Sequence, residues 1–118
     1  MLKDKIQSLA KKYKDEFIAV RQYLHAHPEL SYQEFETSKF VQSKLKEYGI
    51  PFSIMAETGV VGLIEGLGRR SFSEGGKKSS RVIALRADMD ALPILEENNV
   101  LYRSTNDGVM HACGHDAH

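Results

Sequence analysis

Apolar residues return every three or four positions from the start of the chain. Leu2, Ile6, Leu9, Tyr13, Phe17, Val20 and Leu24 make one stripe, and lysines and acids occupy the other face. That period predicts an amphipathic helix with a solvated charged side. Pro28 disfavours helical backbone at His27, so the helix is predicted to stop there. A second helix is predicted after Ser31, where Ser31 and Glu34 form a capping-box pattern ahead of Phe35, Val41, Leu45 and Tyr48. Gly49 is the predicted C-terminal stop, and Pro51 blocks continuation.

The pattern then shortens to strand-like runs. Phe52 to Met55 predicts a short edge strand, since Pro51 cannot donate to a ladder. Val60 to Glu65 predicts a second strand, joined to the first as a hairpin through Glu57, Thr58 and Gly59. Arg81 to Ala87 predicts a third, whose unbroken Val-Ile-Ala-Leu run suits a strand covered on both faces. Between the second and third, residues 68 to 80 are rich in glycine, serine and charge, which predicts an exposed, mobile loop. There is no internal repeat and no second domain boundary. Two helices followed by at least three strands predict an α/β fold. Reactive groups in such folds collect beyond the carboxyl ends of the strands, where Asp88 and Asp90 stand.

Composition narrows the function classes. The chain has 118 residues, the size of one domain. Sixteen basic and sixteen acidic residues give zero formal net charge, so no basic face is expected to track nucleic acid. No apolar run is long enough to cross a bilayer, and the charged start has no signal core. A cytoplasmic location is the default expectation, and the single cysteine fits a reducing compartment.

The candidate chemistry sits at the far end. His111, Cys113, His115 and His118 crowd into eight residues. A thiolate and an imidazole two residues apart share a side only where the backbone is not helical, and Gly114 between Cys113 and His115 permits that. The pair is read either as two ligands of one transition metal or as a buried cysteine beside a surface histidine. Asp88 and Asp90 have the same spacing. They read as metal ligands, as carboxylates orienting a ligand histidine, or as a turn before Pro93. His25 and His27 suit the negative end of the first helix better than a metal. His111 and His118 are ligands, hydrogen-bond donors or simply exposed. Glu96 and Glu97 read as surface acids, because nothing in the sequence places them near the histidines.

Three blocks, Arg21–Glu34, Leu85–Ile94 and Met110–His118, stand in the order seen in one family. From Arg21 onward the chain resembles the N-acyl-amino-acid amidohydrolases: hippurate hydrolases, auxin-conjugate hydrolases and N-acetyldiaminopimelate deacetylases. These are cousins of the dinuclear zinc aminopeptidase-like carboxypeptidases. The resemblance implies part of a zinc-aminopeptidase-like catalytic domain, with residues 1–118 an incomplete N-terminal segment and the lid or dimerisation domain absent. It implies hydrolysis of the amide bond of N-acyl amino acids, small-molecule substrates, with two divalent ions (Zn, Mn, Co or Ni) activating a water. Cys113 and His115 match metal ligands, and Asp90 matches the aspartate that orients a ligand. Asp88 matches a position where distant relatives carry a ligand histidine, a function Cys113 is expected to take over. The family's paired glutamates, one the general base, and its later histidine ligands have no counterpart here. The alternative expectation is therefore a non-catalytic truncated fragment with exposed apolar surface and a tendency to self-associate.

Overall fold

The computed structural model describes residues 1–65 and 82–118. The loop expected at 68 to 80, with Arg81, lies outside them. The first stripe forms α1, Leu2–Ala26, and it ends one residue before the His27-Pro28 break as predicted. Most of the stripe finds no cover among the described residues. Leu2, Ile6, Leu9, Tyr13 and Phe17 are exposed, and His25 is the buried residue of the helix. No described helix is long and apolar enough to cross a membrane.

The second helix, α2, spans Phe35–Glu47. Its N-terminus departs from the capping-box expectation. Tyr32 has a left-handed φ of 64°, and the Gln33 amide donates to Leu30 O at 2.9 Å, so a turn occupies the place where the box would open the helix. Glu29 caps from outside instead. Its carboxylate accepts from the Glu36 amide at 3.1 Å and from the Thr37 amide and hydroxyl at 2.6 Å each. These are amides of the first turn with no partner inside the helix, and a carboxylate there also meets the positive end of the helix dipole. Glu34, freed from the box, accepts from the buried Thr58 hydroxyl at 3.0 Å. Glu29→Ala is expected to destabilise the chain by about 1–2 kcal/mol, the cost of a lost cap. Urea melts of Glu29→Ala and Ser31→Ala compare the two caps; an effect confined to Ser31→Ala would reverse the assignment.

The other end of α2 stops as predicted. Gly49 has φ 67°, its amide donates to Lys46 O at 3.1 Å, and the Ile50 amide donates to Leu45 O at 2.8 Å. This paired 5→2 and 6→1 bonding is the Schellman motif, which favours glycine at the left-handed position. Two contacts pin α2 to α1. Tyr23 and Phe40 stack with ring centroids 4.2 Å apart, and the Tyr48 hydroxyl donates to the Glu16 carboxylate. That carboxylate opposes a second negative charge beside it, so the Tyr48 phenol is pushed up to about 12.

Strands β1, Phe52–Met55, and β2, Gly59–Gly62, form an antiparallel hairpin with Phe52 opposite Gly62 and Met55 opposite Gly59. β2 is shorter than the Val60–Glu65 expected. The third expected strand is corrected. Residues 82–87 join no ladder among the described residues, and Val82, Ile83 and Leu85 are exposed. An apolar run becomes a strand only where neighbours take up its backbone groups, and here none of the described segments does. Pairing starts just beyond the run. Ala91 bridges Leu30 in parallel, with its amide donating to Glu29 O at 2.8 Å. Leu92 and Met110 exchange two antiparallel bonds of 3.0 Å. Near this junction Pro28, Ala91 and Val109 are buried, together with a larger set of polar side chains that includes His25, Glu96, His111 and Asp116.

Candidate metal centre

The chain turns sharply into its last residues. Gly114 has φ 101°, a backbone that side-chain-bearing residues rarely adopt, and a single 3₁₀ turn follows, His115–Ala117. This turn packs on α1. It carries the His115 ring to the end of the 82–90 segment, where Nδ1 donates to Asp90 Oδ1 at 2.8 Å and lies 3.1 Å from Asp90 O. Both acceptors face one nitrogen, so Nδ1 holds the proton and Nε2 keeps its lone pair. The Asp90 carboxylate holds the His115 pKa above its ordinary value, against a smaller opposing effect of burial. A carboxylate behind an imidazole in this way fixes the ring and raises its basicity as a ligand.

Asp88 and His118 stand around the same ring. One ligand atom each from Asp88, His115 and His118 falls within 4.8 Å of the other two. The spacing of Asp88 and Asp90 thus places both carboxylates beside His115, in different roles. Asp90 touches Nδ1, while Asp88 also accepts from the exposed Arg86 guanidinium at 2.9 Å. The rings of His115 and His118 are 5.2 Å apart. Cys113 is free and exposed, and it is not part of that three-residue group. Imidazole and a nearby thiol suit borderline ions such as zinc or cobalt, and the carboxylate admits harder manganese, so the donor set fits a divalent metal.

The sequence reading of Glu96 is corrected, and His25 gains partners. His25 stands in the last turn of α1 as expected, but buried: it is 4% exposed, with Nδ1 2.8 Å from Asp116 Oδ2 and Nε2 2.9 Å from Glu96 Oε1. Glu96 is not a surface acid; it is 3% exposed. The folded chain brings together residues 71 apart, a proximity that no local pattern announces. His111 is buried, with no hydrogen-bond partner at either ring nitrogen among the described residues, and burial holds its pKa below the ordinary value. His27 turns back on its own helix, with Nδ1 2.8 Å from Tyr23 O.

A carboxylate-backed imidazole with further donors beside it is the arrangement of metal-dependent hydrolases. Comparison with known proteins agrees with that class. The sequence profile of Peptidase family M20/M25/M40 matches residues 84–118, the stretch that holds Asp88, Asp90, Cys113 and His115. The chain is 45% identical, over 119 aligned residues, to an N-acyl-L-amino acid amidohydrolase of Geobacillus stearothermophilus, covering 100% of this chain and 30% of the relative. It is 50% identical over 98 residues to an uncharacterized hydrolase of Staphylococcus saprophyticus, covering 83% of this chain and 23% of that protein. The structure superposes on the Bacillus subtilis YXEP protein, a dinuclear metal binding peptidase from the M20 family, with a TM-score of 0.79 and 43% identity, covering 92% of this chain and 28% of that one. The chain is similar to members of peptidase family M20/M25/M40 in both sequence and structure. It spans about a quarter of the length of the relatives it matches.

Proposed function

We propose that residues 1–118 form the N-terminal part of the catalytic domain of a metal-dependent amidohydrolase that cleaves N-acyl amino acids. Cys113 and His115 are its metal ligands and Asp90 the carboxylate that orients His115. The observation that carries this reading is the Asp90–His115 bond of 2.8 Å beside Asp88 and His118. The activity named for the Geobacillus relative and the dinuclear metal described for the Bacillus protein support it. Bound there, divalent metal supplies a polarised amide carbonyl and an acidified water. Asp90 holds the Nδ1 proton of His115, which leaves the Nε2 lone pair for the ion. Cys113 would offer the ion a soft sulfur donor. Asp88 and His118 are close enough to ligate or to hydrogen-bond a ligand of the ion.

Hydrolysis of N-acetyl- and N-benzoyl-amino acids, measured with added manganese or cobalt on the protein at its full encoded length, tests the reading. Turnover that disappears with a chelator and returns with metal is expected. No turnover on any of these substrates, with bound metal shown by elemental analysis, would sink it.

A second reading, in which the 118-residue chain is itself non-catalytic and self-associates, draws on the exposed Val82, Ile83 and Leu85 and the uncovered stripe of α1. Contiguous apolar surface of this kind marks an interface or an aggregation site. Sedimentation velocity is expected to show dimers or larger species as concentration rises. A single monomer peak across the series would remove the second reading.

A further inference from the structure

Among the described residues, the turn that carries His115 has little to hold it on one side. Ala112 and Cys113 are exposed, and the space around Gly114 is open. On the other side stands Asp116, 4% exposed, whose Oδ2 is 2.8 Å from His25 Nδ1 and accepts from Arg21 Nε at 2.9 Å. His25 reaches on to Glu96 Oε1 at 2.9 Å. Glu96 is fixed in turn: its Oε2 accepts from the Ser104 amide at 2.5 Å, and its backbone carbonyl accepts from the Arg103 guanidinium at 2.7 Å. The last two turns of α1, the 96–104 segment and the His115 turn therefore meet at one imidazole.

We propose that Arg21, His25, Glu96 and Asp116 form a clamp that positions His115, so that its ring is already set against Asp90 before metal arrives. This rests on the reading of His115 as a metal ligand. None of the four touches the His115 ring; they act through the backbone of Asp116, the next residue. The charge chemistry favours this role over plain stabilisation. Apolar side chains of similar volume stabilise a buried junction as well as, or better than, a buried ion network does. What an ion network adds is direction: each bond fixes an angle as well as a distance. A ligand held less than an ångström from its working place needs that kind of support.

The test uses three isosteric or mild variants of the 118-residue chain: Glu96→Gln, Asp116→Asn and Arg21→Gln. Glu36→Gln, in an exposed pair with Lys39, serves as control. Two readouts are taken on folded protein, with helix content checked by circular dichroism. The first is the long-range ¹H–¹⁵N spectrum of the histidine rings without metal, in which His115 gives the signature of one tautomer with Nδ1 protonated. The second is the cobalt(II) dissociation constant with its visible spectrum. In Glu96→Gln the His115 signature is expected to average toward mixed tautomers, and cobalt binding to weaken about tenfold, the low end for supporting groups around a metal. Arg21, with a side chain 43% exposed, is expected to move both readouts the same way by less, and it keeps the test open should Asp116→Asn fail to fold. A Glu96→Gln protein that melts earlier but keeps the wild-type tautomer signature and cobalt affinity would overturn the clamp and leave a structural junction. Wild-type chain that binds no cobalt defeats the metal reading instead, and the tautomer signature then decides the clamp alone.

Discussion

Alanine at position 25 is expected to cost about 3–5 kcal/mol of folding free energy, the range for removing one partner from a buried ion network. The reason is what remains behind. Glu96 keeps the Ser104 amide and a longer bond of 3.3 Å from Asn98, and Asp116 keeps Arg21. Each carboxylate loses its bond to the imidazole, and each stays buried. A buried charge stripped of a partner costs far more than a surface pair returns. The loss should be local first. The amides of Thr105 and Ala91, bonded at 2.9 Å to Ala26 O and at 2.8 Å to Glu29 O, sit at the junction the clamp closes, so their hydrogen exchange is expected to accelerate before that of α2. Urea melts give the free energy and exchange gives the order. A loss under about 1 kcal/mol would show that His25 contributes no more than an exposed pair does.

The same groups set a pH profile. Burial alone pushes the His25 pKa down, but hydrogen bonds to Glu96 and Asp116 outweigh it and the net shift is upward. Its stabilisation is therefore complete below the ordinary value of 6.5 and is lost as pH rises through the raised value. Burial pushes Glu96 up, but the Ser104 amide, His25 and Asn98 outweigh it and the net shift is downward. Its stabilisation is complete above the ordinary value of 4.5 and is lost as pH falls through the lowered value. Tyr102 and His111 also face His25, and the Arg21 guanidinium lies over the Tyr102 ring. Melting temperature is expected to peak in the mildly acidic window between these limits and to decline on the alkaline side. His25→Gln should flatten the alkaline limb; a wild-type curve that keeps rising past neutrality would contradict the assignment of charge to His25.

His115→Ala is expected to weaken cobalt(II) binding by more than about 100-fold, since it removes a ligand, whereas Asp90→Asn should cost about 10–100-fold, the range for a group that orients one. The comparison of single and double variants separates the roles. If Asp90 acts through the His115 ring, the double variant binds no more weakly than His115→Ala alone, because the orienting group has nothing left to orient. If the two losses add, Asp90 meets the ion by its own route. Competition against a chromophoric chelator measures all three. Both side chains are partly accessible, at 20% for His115 and 28% for Asp90, so the fold should survive each change.

The parts of this molecule legible in its sequence are those with local causes. Helix α1 shows in its stripe and in Pro28, the end of α2 in Gly49, and the hairpin in two short apolar runs around a turn. Asp90 and His115 were found by motif and spacing, and the fold brings them into contact. What stayed hidden depends on long-range contact. Glu29 caps a helix that begins six residues later, past a left-handed Tyr32. Val82 to Leu85 has every local mark of a buried strand, yet pairing is decided by neighbours and not by the run itself. Glu96 looked like a surface acid because its partner, His25, is remote in sequence. No local pattern signals the pair, since His25 lies off the apolar stripe of α1, one turn beyond Arg21.

The separation of those partners also dictates an order of events during synthesis. His25 leaves the ribosome 91 residues ahead of Asp116. At roughly 5–20 residues per second, α1 waits on the order of 5–20 s for the carboxylate that completes its C-terminal end. Throughout that interval His25 lacks the carboxylate that later buries it, so the yield of native protein should respond to translation speed and to holdase chaperones.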